Sequence, residues 1–305
     1  MDDMKKSSCE VFAQYSSYWT FIANCVFNGF LSYTATMLNI VTIYAIRKTS
    51  SLPETSKTLL LSLAVSDVGV GLLIEPFYIS LLVKGLQQSP SGCSTNKVFE
   101  IIVVLFSTAS FWGVVTISID RFLALHFHLR YQELVTQKRA VAVVISIWLL
   151  STFLSSMKLW LPPNTHSLSL CICMVIGLLL TTLVYIRIYL TVRRHKNQIQ
   201  VQQVQNAAPN GEIANFASLI KSAIGTFYVY LVFLVCYLPI FICFTAIAIY
   251  GQSVALNIFL PFSCTLVSLN SSLNPVIYCW KMKHIRHAIM NILRNMSWLR
   301  DRAAH

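Results

Sequence analysis

The feature that most constrains this chain of 305 residues is a series of apolar runs, each long enough to cross a lipid bilayer. A transmembrane helix needs about 20 predominantly apolar residues. Segments of that length cover 18–46, 57–84, 96–121, 138–160, 167–190, 218–250 and 254–280. Because lipid offers the backbone no hydrogen-bond partners, such segments fold as helices. The sequence therefore predicts an all-α membrane protein built as a seven-transmembrane helix bundle.

The charged residues predict how this bundle is oriented. Of the 23 Lys and Arg residues, five lie in the N-terminus and the loops on its side of the bundle, and 18 lie at the opposite ends of the spans and in the C-terminal segment. Basic residues concentrate on the cytoplasmic side of membrane proteins, so we expect the N-terminus outside and the C-terminus in the cytoplasm. This bias and attraction to anionic membrane lipid account for the net charge of +12, and no nucleic-acid partner is needed.

Polar residues and prolines interrupt the apolar runs at a few places. Such residues inside a membrane span are costly and suggest a functional role. Proline removes a helical hydrogen bond and kinks a span. The motifs, in chain order, are Asn39, Asp67, Asp120-Arg121-Phe122, Phe233 and Tyr237 before Pro239, and Asn274-Pro275-Val276-Ile277-Tyr278.

In their joint order and spacing, these motifs resemble those of the rhodopsin-like (class A) G-protein-coupled receptors, over about residues 20–297. The resemblance implies a plasma-membrane receptor that binds an extracellular ligand and activates a cytoplasmic heterotrimeric G protein. The inner loop at 129–136 looks most like that of adenosine receptors. The short loop at 161–167, which has no cysteine, points to the melanocortin and cannabinoid receptors.

The resemblance implies an activation switch in the inner half of the bundle. In the family, the acid at Asp120 holds the Arg121 side chain at rest, and the arginine meets the G protein on activation. The other switch positions are Phe122, Tyr185, Phe233, Tyr237, Pro239, Asn274, Pro275 and Tyr278, with Tyr237 in place of the usual Trp and Phe122 in place of the usual Tyr.

Some receptors also clamp this arginine with an acid on the sixth helix. Leu219 stands twenty residues before Pro239, and its neighbours Ser218, Ile220 and Lys221 include no acid. We therefore expect this lock to be absent and basal activity to be appreciable.

A second implied site is an allosteric sodium site in the middle of the bundle. Asp67 occupies the family's sodium-binding position, and hard cations prefer oxygen ligands. The predicted set is Asp67, Ser110, Asn270, Ser271 and Asn274. The alternative is that Asp67 is a buried structural acid. Apart from this ion, no cofactor is expected.

The outer half is predicted to hold a mainly apolar ligand pocket. Its candidate residues are Glu100, Val103, Phe106, Ser107, Ile240, Phe241, Phe244, Cys264 and Ser268. Val103 stands where amine receptors carry their Asp, Ser268 where opsins carry Lys, and Phe244 where adenosine receptors carry Asn. A lipid-like or small peptide ligand is compatible with this pocket. Glu75 and Glu100 could meet a cationic group or calcium, pair with Lys84 or Lys97, or face the interface.

The predicted organisation has three parts: an extracellular N-terminus at 1–17, a receptor domain at 18–280, and a cytoplasmic amphipathic eighth helix and tail at 281–305. In the last part, Ile285, Ile289 and Ile292 or Leu293 form one apolar face suited to the membrane surface. A disulfide between Cys9 and Cys93 is a further hypothesis, since both can reach the oxidising side.

Two other functional classes compete with a signalling receptor. A transporter would show paired repeats with matching broken helices, and the chain has none that we can detect. A receptor-like scaffold or dimer partner that never couples stays open because of Tyr237. An enzyme is not expected, since the sequence has no metal-binding His/Glu motif and no nucleophile elbow.

Overall fold

The computed structural model describes residues 18–49, 52–87, 93–127, 130–204, 210–250, 253–281, 285–291 and 294. These residues are almost entirely helical, as the sequence predicts. The long and short helices are α1 (Tyr18–Lys48), α2 (Glu54–Gly69), α3 (Glu75–Leu86), α4 (Cys93–Phe127), α5 (Tyr131–Leu134), α6 (Gln137–Ser156), α7 (Pro163–Val204), α8 (Asn210–Tyr250) and α9 (Val254–Lys281). A π-helical turn, Val70–Ile74, joins α2 to α3, and a 3-10 turn, Met157–Leu159, follows α6.

Six described segments are long and apolar enough to cross a membrane. They are Phe21–Lys48, Glu54–Lys84, Thr95–Phe127, Gln137–Leu159, Thr165–Arg194 and Ile220–Ile247. The long helix α9, which carries Asn270, Ser271 and Asn274, is not among these six segments of the described residues. These polar residues matter for the site described below.

The helices pack as a closed bundle around α4. This helix contacts α2, α6, α7 and α8, while α9 contacts both α8 and α1 and so closes the ring. We call the end of α4 that carries Arg121 the Arg121 end, and the other the Glu100 end. The main apolar core, which includes Leu63, Phe111 and Phe233, lies between them.

The distribution of polarity is inverted relative to a soluble protein. Asn39, Asp67 and Asn274 are completely buried, whereas Leu149 and Val235 are 66% and 67% exposed. Soluble proteins rarely expose large contiguous apolar surfaces. The apolar exterior is therefore the lipid-facing surface of a multi-pass membrane protein.

Side chains of α1 satisfy the backbone groups that prolines release. Pro275 cannot donate to the carbonyl of Ser271, and Asn39 Nδ2 donates to that oxygen at 2.9 Å. Pro76 likewise follows the π-helical turn, where Ser32 Oγ donates to the Gly71 carbonyl at 2.8 Å. A polar neighbour from another helix thus satisfies the backbone group that Pro275 leaves unpaired.

Two regions extend the sequence prediction. Helix α7 continues to Val204, well beyond the expected span end at 190. Residues 285–291 are helical, with Ile285 completely buried and Ile289 packed against the main core. This helix is therefore docked against the bundle through part of its predicted apolar face. Ile292, Leu293, Cys9 and the side chain of Cys93 lie outside what the structure describes.

Candidate functional site

Arg121 lies at the centre of a buried polar cluster at the end of α4. Its Nη2 contacts Asp120 Oδ2 at 2.6 Å and also donates to Ser56 Oγ on α2. Asp120 and Arg121 are both buried. Charge-assisted hydrogen bonds of this kind are strong in a water-poor environment, so the cluster holds the guanidinium in one place.

The short helix α5 completes the coordination of Asp120. The Tyr131 hydroxyl donates to Asp120 Oδ1 at 2.5 Å, and Ser56 Oγ donates to Oδ2 at 3.3 Å. Burial raises the pKa of Tyr131, and the nearby Asp120 charge adds to this effect. The hydroxyl is therefore held in its protonated, donating form.

A neutral contact connects Arg121 to α8. Arg121 Nη1 donates to Ser222 Oγ at 3.0 Å. Within the described residues, the acid paired with Arg121 is Asp120 alone. The contact of Arg121 with α8 is thus a hydrogen bond to a hydroxyl group, at a position that sequence counting missed.

The two tyrosines of the predicted switch are not bonded to Arg121. The Tyr185 hydroxyl lies 3.0 Å from Ser118 Oγ, and its ring stacks on Tyr230. The Tyr278 hydroxyl is buried without a hydrogen-bond partner. Phe122 stacks on His126, with ring centres 5.3 Å apart.

Three aromatic side chains form a continuous stack deeper in the bundle. Phe233 lies against Tyr237 with ring centres 3.9 Å apart, and against Phe111 at 5.2 Å. Tyr237 also interacts with the hydroxyl of Ser107 on α4. The Tyr237 hydroxyl therefore gives α8 a polar contact with α4 at a residue of the predicted ligand pocket.

Three of the predicted sodium residues, Asn274, Ser110 and Ser271, surround Asp67, which is completely buried. Asn274 Nδ2 donates to Asp67 Oδ2 at 2.8 Å, and Ser110 Oγ approaches Oδ1 at 3.5 Å. Ser271 also interacts with this carboxyl group. Ser110 is shared, since its hydroxyl lies 2.8 Å from that of Ser66.

This second site has spare oxygen atoms. Asn270 is completely buried with neither side-chain polar atom hydrogen-bonded, and Asn274 Oδ1 has no partner either. A buried polar atom without a partner is costly. One carboxylate with neighbouring amide and hydroxyl oxygens is the donor set a hard monovalent cation requires, so these residues fit sodium.

The predicted ligand-pocket residues divide into groups. Val103, Ile240 and Phe241 are partly buried, and Phe244 is half-exposed. Ser107 lies against Tyr237. Phe106 is separated from them: its ring packs edge-on against Trp148 of α6 and fills the space beside Gly69 of α2.

The two acids at the Glu100 end are also separated. Glu100 forms an ion pair with Lys158, which is neither of the lysines considered from the sequence, and its side chain is 49% exposed. Glu75 is completely buried. Cys264 and Ser268, both predicted pocket residues, interact electrostatically with Glu75.

The sequence as a whole matches a family of known receptors. The model of that family, described as "7 transmembrane receptor (rhodopsin family)", matches residues 38–166 and 157–278 of this chain. The chain belongs to the rhodopsin family of seven-transmembrane receptors. The prediction of a seven-helix receptor bundle is confirmed, and α9 is its seventh span despite its polar residues. Members of this family are receptors and not enzymes.

Curated relatives place this receptor near the expected group. It is 26% identical to adenosine receptor A2a of Equus caballus over 293 residues, which is 84% of this chain and 68% of the relative. It is 24% identical to adenosine receptor A2b of Gallus gallus, over 84% of this chain and 83% of the relative. Melanocortin receptor 4 of Danio rerio is 27% identical, over 83% of this chain and 78% of the relative.

Proposed function

We propose that this receptor lies in the plasma membrane with its N-terminus outside, binds an extracellular ligand, and activates a cytoplasmic heterotrimeric G protein. The distribution of Lys and Arg supports this orientation, because it places the Arg121 end in the cytoplasm. The ligand would then enter from the Glu100 end. Binding would shift the bundle between two pre-existing arrangements.

The observation that carries the proposal is the restrained arginine. Arg121 is held by Asp120 on its own helix, by Ser56 on α2 and by Ser222 on α8. An outward movement of the Arg121 end of α8 would break the contact with Ser222 without breaking the pair with Asp120. Arg121 could then turn towards Tyr185, Tyr278 and a G protein.

The ligand is proposed to be lipid-like or a small peptide. Val103, Ile240, Phe241 and Phe244 give the outer half of α4 and α8 an apolar lining, and apolar linings with a few polar groups are typical of ligand pockets. The names of the relatives point to adenosine and melanocortin ligands. Phe244 in place of the expected Asn disfavours adenosine.

We further propose that sodium occupies the Asp67 site. Asp67, Ser110, Asn270, Ser271 and Asn274 would hold the ion. It would balance the buried carboxylate and connect α2, α4 and α9, so that sodium favours the arrangement described here. The unpartnered amide oxygens of Asn270 and Asn274 support this assignment.

The test is basal second-messenger output, both cyclic AMP and calcium, in cells that express the wild type or Arg121→Ala at matched surface levels. We expect a basal signal in the wild type that disappears in the variant. Arg187→Ala, which changes an exposed arginine of α7, is the matched control and should keep the signal. A basal signal that survives Arg121→Ala would contradict the proposed switch.

A further inference from the structure

Glu75 is a buried acid that belongs to neither the proposed switch nor the proposed sodium site. Its side chain is completely buried, and neither carboxyl oxygen has a hydrogen-bond partner. Ser268 of α9 is its polar neighbour. An ionisable residue inside a membrane span is expensive and suggests a functional role.

The local backbone directs this acid into the bundle. The π-helical turn Val70–Ile74 comes immediately before Glu75, and Pro76 comes immediately after it. Proline at this position prevents a regular hydrogen bond to the carbonyl four residues earlier, and π-helical turns often occur at functional sites. The turn changes the rotation of α3 relative to α2, so Glu75 faces the neighbouring helices rather than lipid.

An aromatic cluster adjoins the acid at the Glu100 end. Tyr78 interacts electrostatically with Glu75 and belongs to a buried cluster with Phe21 of α1 and Leu82. Phe99 of α4 stacks on Tyr78, and Cys264 of α9 packs against the same cluster. Tyr78 thus connects the carboxyl group to a cluster with aromatic rings from three helices.

No cation of the described chain neutralises Glu75. The ion pairs among the described residues are Lys57–Glu54, Arg121–Asp120 and Lys158–Glu100. A buried carboxylate without a charged partner carries a desolvation cost, which either protonation or a cation relieves. A positive charge from outside the chain would complete this site.

The surroundings indicate which kind of cation fits. Calcium takes six to eight oxygen ligands, usually from several carboxylates, and the described residues contain no group of three or more His, Cys, Asp or Glu side chains suited to a metal. Glu100 is paired with Lys158, so Glu75 offers a single negative charge. One carboxylate beside aromatic rings suits an organic ammonium, which gains both charge pairing and cation–π contact.

We infer that Glu75 is the counter-ion for a primary or secondary ammonium group of a ligand, bound between α1, α3 and α9 near Ser268 and Tyr78. Val103 excludes the counter-ion position on α4 that amine receptors use, but it does not exclude ammonium recognition from α3. The inference rests on membership of the receptor family and on ligand entry from the Glu100 end. It does not depend on G-protein coupling.

The test is thermal unfolding of the purified full-length receptor, followed by tryptophan fluorescence with phenethylammonium chloride as the probe. Sodium chloride at equal concentration and neutral 2-phenylethanol are the comparison solutes. We expect phenethylammonium alone to raise the Tm of the wild type by about 2 °C or more, by mass action. Glu75→Gln should abolish this shift. Glu133→Gln, which changes an exposed acid of α5 outside the predicted pocket, is the matched control and should retain it.

Glu75→Gln removes an unpaired buried charge, so without amine it should melt no lower than the wild type. If this variant does not fold, Glu75→Asp replaces it, and the shift should shrink because the carboxylate is retracted by one methylene. The inference is overturned if the wild type shows no shift with phenethylammonium, if 2-phenylethanol gives the same shift, or if Glu75→Gln keeps it. It is also overturned if sodium gives the Glu75-dependent shift, because the site would then belong to an inorganic cation. Second-messenger output is not part of this measurement, so a silent receptor would leave the inference intact.

Discussion

Asp120 and Glu75 are both buried acids of the same helix bundle, but the protein treats them in opposite ways. Asp120 receives Arg121, Tyr131 and Ser56, which come from three helices. Among the described residues, Glu75 has no charged partner and no hydrogen bond of regular geometry, and Ser268 is its polar neighbour. A buried carboxylate whose partners all belong to the chain can restrain those partners. A buried carboxylate without a charged partner in the chain is suited to bind a cationic group from outside.

Asp67 lies between these extremes. It accepts a well-formed hydrogen bond from Asn274 and a long one from Ser110, while Asn270 beside it stays unsatisfied. From the Arg121 end to the Glu100 end, the buried acids therefore have fewer hydrogen-bond and ion-pair partners among the described residues. We interpret this gradient as the difference between a switch, an ion site and a ligand site.

The strongest test of this comparison is Asp120→Asn, which removes the buried carboxylate that pairs with Arg121. Leaving Arg121 buried without its acid should lower the free energy of unfolding by about 3 kcal/mol, the lower end for a broken buried ion pair. The released arginine should also raise the basal second-messenger signal. Both are measured, by thermal unfolding and in cells, against Glu133→Gln, an exposed acid of α5 that should behave like the wild type. An unchanged Tm would mean that the cluster contributes little restraint.

Tyr131→Phe removes one partner of Asp120 and leaves the ion pair in place. A hydrogen bond to a charged group contributes about 1.5–3 kcal/mol, so we expect a loss near the lower value and a smaller rise in basal signal than with Asp120→Asn. The Tyr131 pKa is raised in the folded protein, so the contribution is fully present below the ordinary tyrosine pKa of about 10 and is lost as pH rises through the folded value.

A pH series of thermal unfolding checks the sign of this effect. The difference in stability between the wild type and Tyr131→Phe should stay constant up to about pH 10 and shrink only above it. A difference that disappears near neutral pH would show that the hydroxyl does not carry the effect. Tyr189→Phe, which changes an exposed tyrosine of α7, is the matched control.

Much of the Arg121 end and of the Asp67 site could be predicted, because the signals are local in sequence. Asp120 and Arg121 are adjacent, and Asn274 is fixed by the proline beside it. Ser56, Ser222 and Tyr131 could not be found this way, since small hydroxyl groups and a loop tyrosine gain their role only from how separate helices rotate against each other.

The Glu100 end was harder to predict for a different physical reason. Counting along a uniform helix assumes a constant turn angle, and the π-helical turn Val70–Ile74 changes that angle just before Glu75. The sequence therefore suggested an acid that could face the interface, whereas the structure buries it completely. The contact of Phe106 with Gly69 could not be predicted by counting along its own helix, because Gly69 lies on α2.

Asp67→Asn tests the middle of the gradient. A tenfold excess of sodium over its Kd stabilises a single site by about 1.4 kcal/mol. Replacing sodium with N-methylglucamine should therefore lower the Tm of the wild type but not that of Asp67→Asn. Glu75→Gln should keep the sodium response, which separates the two acids. A sodium effect that persists in Asp67→Asn would place the ion elsewhere and remove the gradient.

Lys281→Met tests a weak cation–π contact between α9 and α8 at the Arg121 end. Lys281 Nζ of α9 lies 4.1 Å from the ring centre of Tyr228 on α8 and 3.6 Å from that of Trp280. Gly225 of α8 leaves room for the stem of Lys281, since a methyl group there would lie 3.2 Å from its Cβ. An exposed cation–π contact contributes about 0.5–1 kcal/mol, so its loss should raise the basal signal about two- to fivefold if it holds α8 inward. Lys221→Met, on an exposed position of the same stretch of α8, should leave the signal unchanged. Equal rises in basal signal for the two variants would assign the effect to lost surface charge rather than to the contact between α8 and α9. The contacts that hold α8 inward at the Arg121 end would then be those of the buried polar cluster alone.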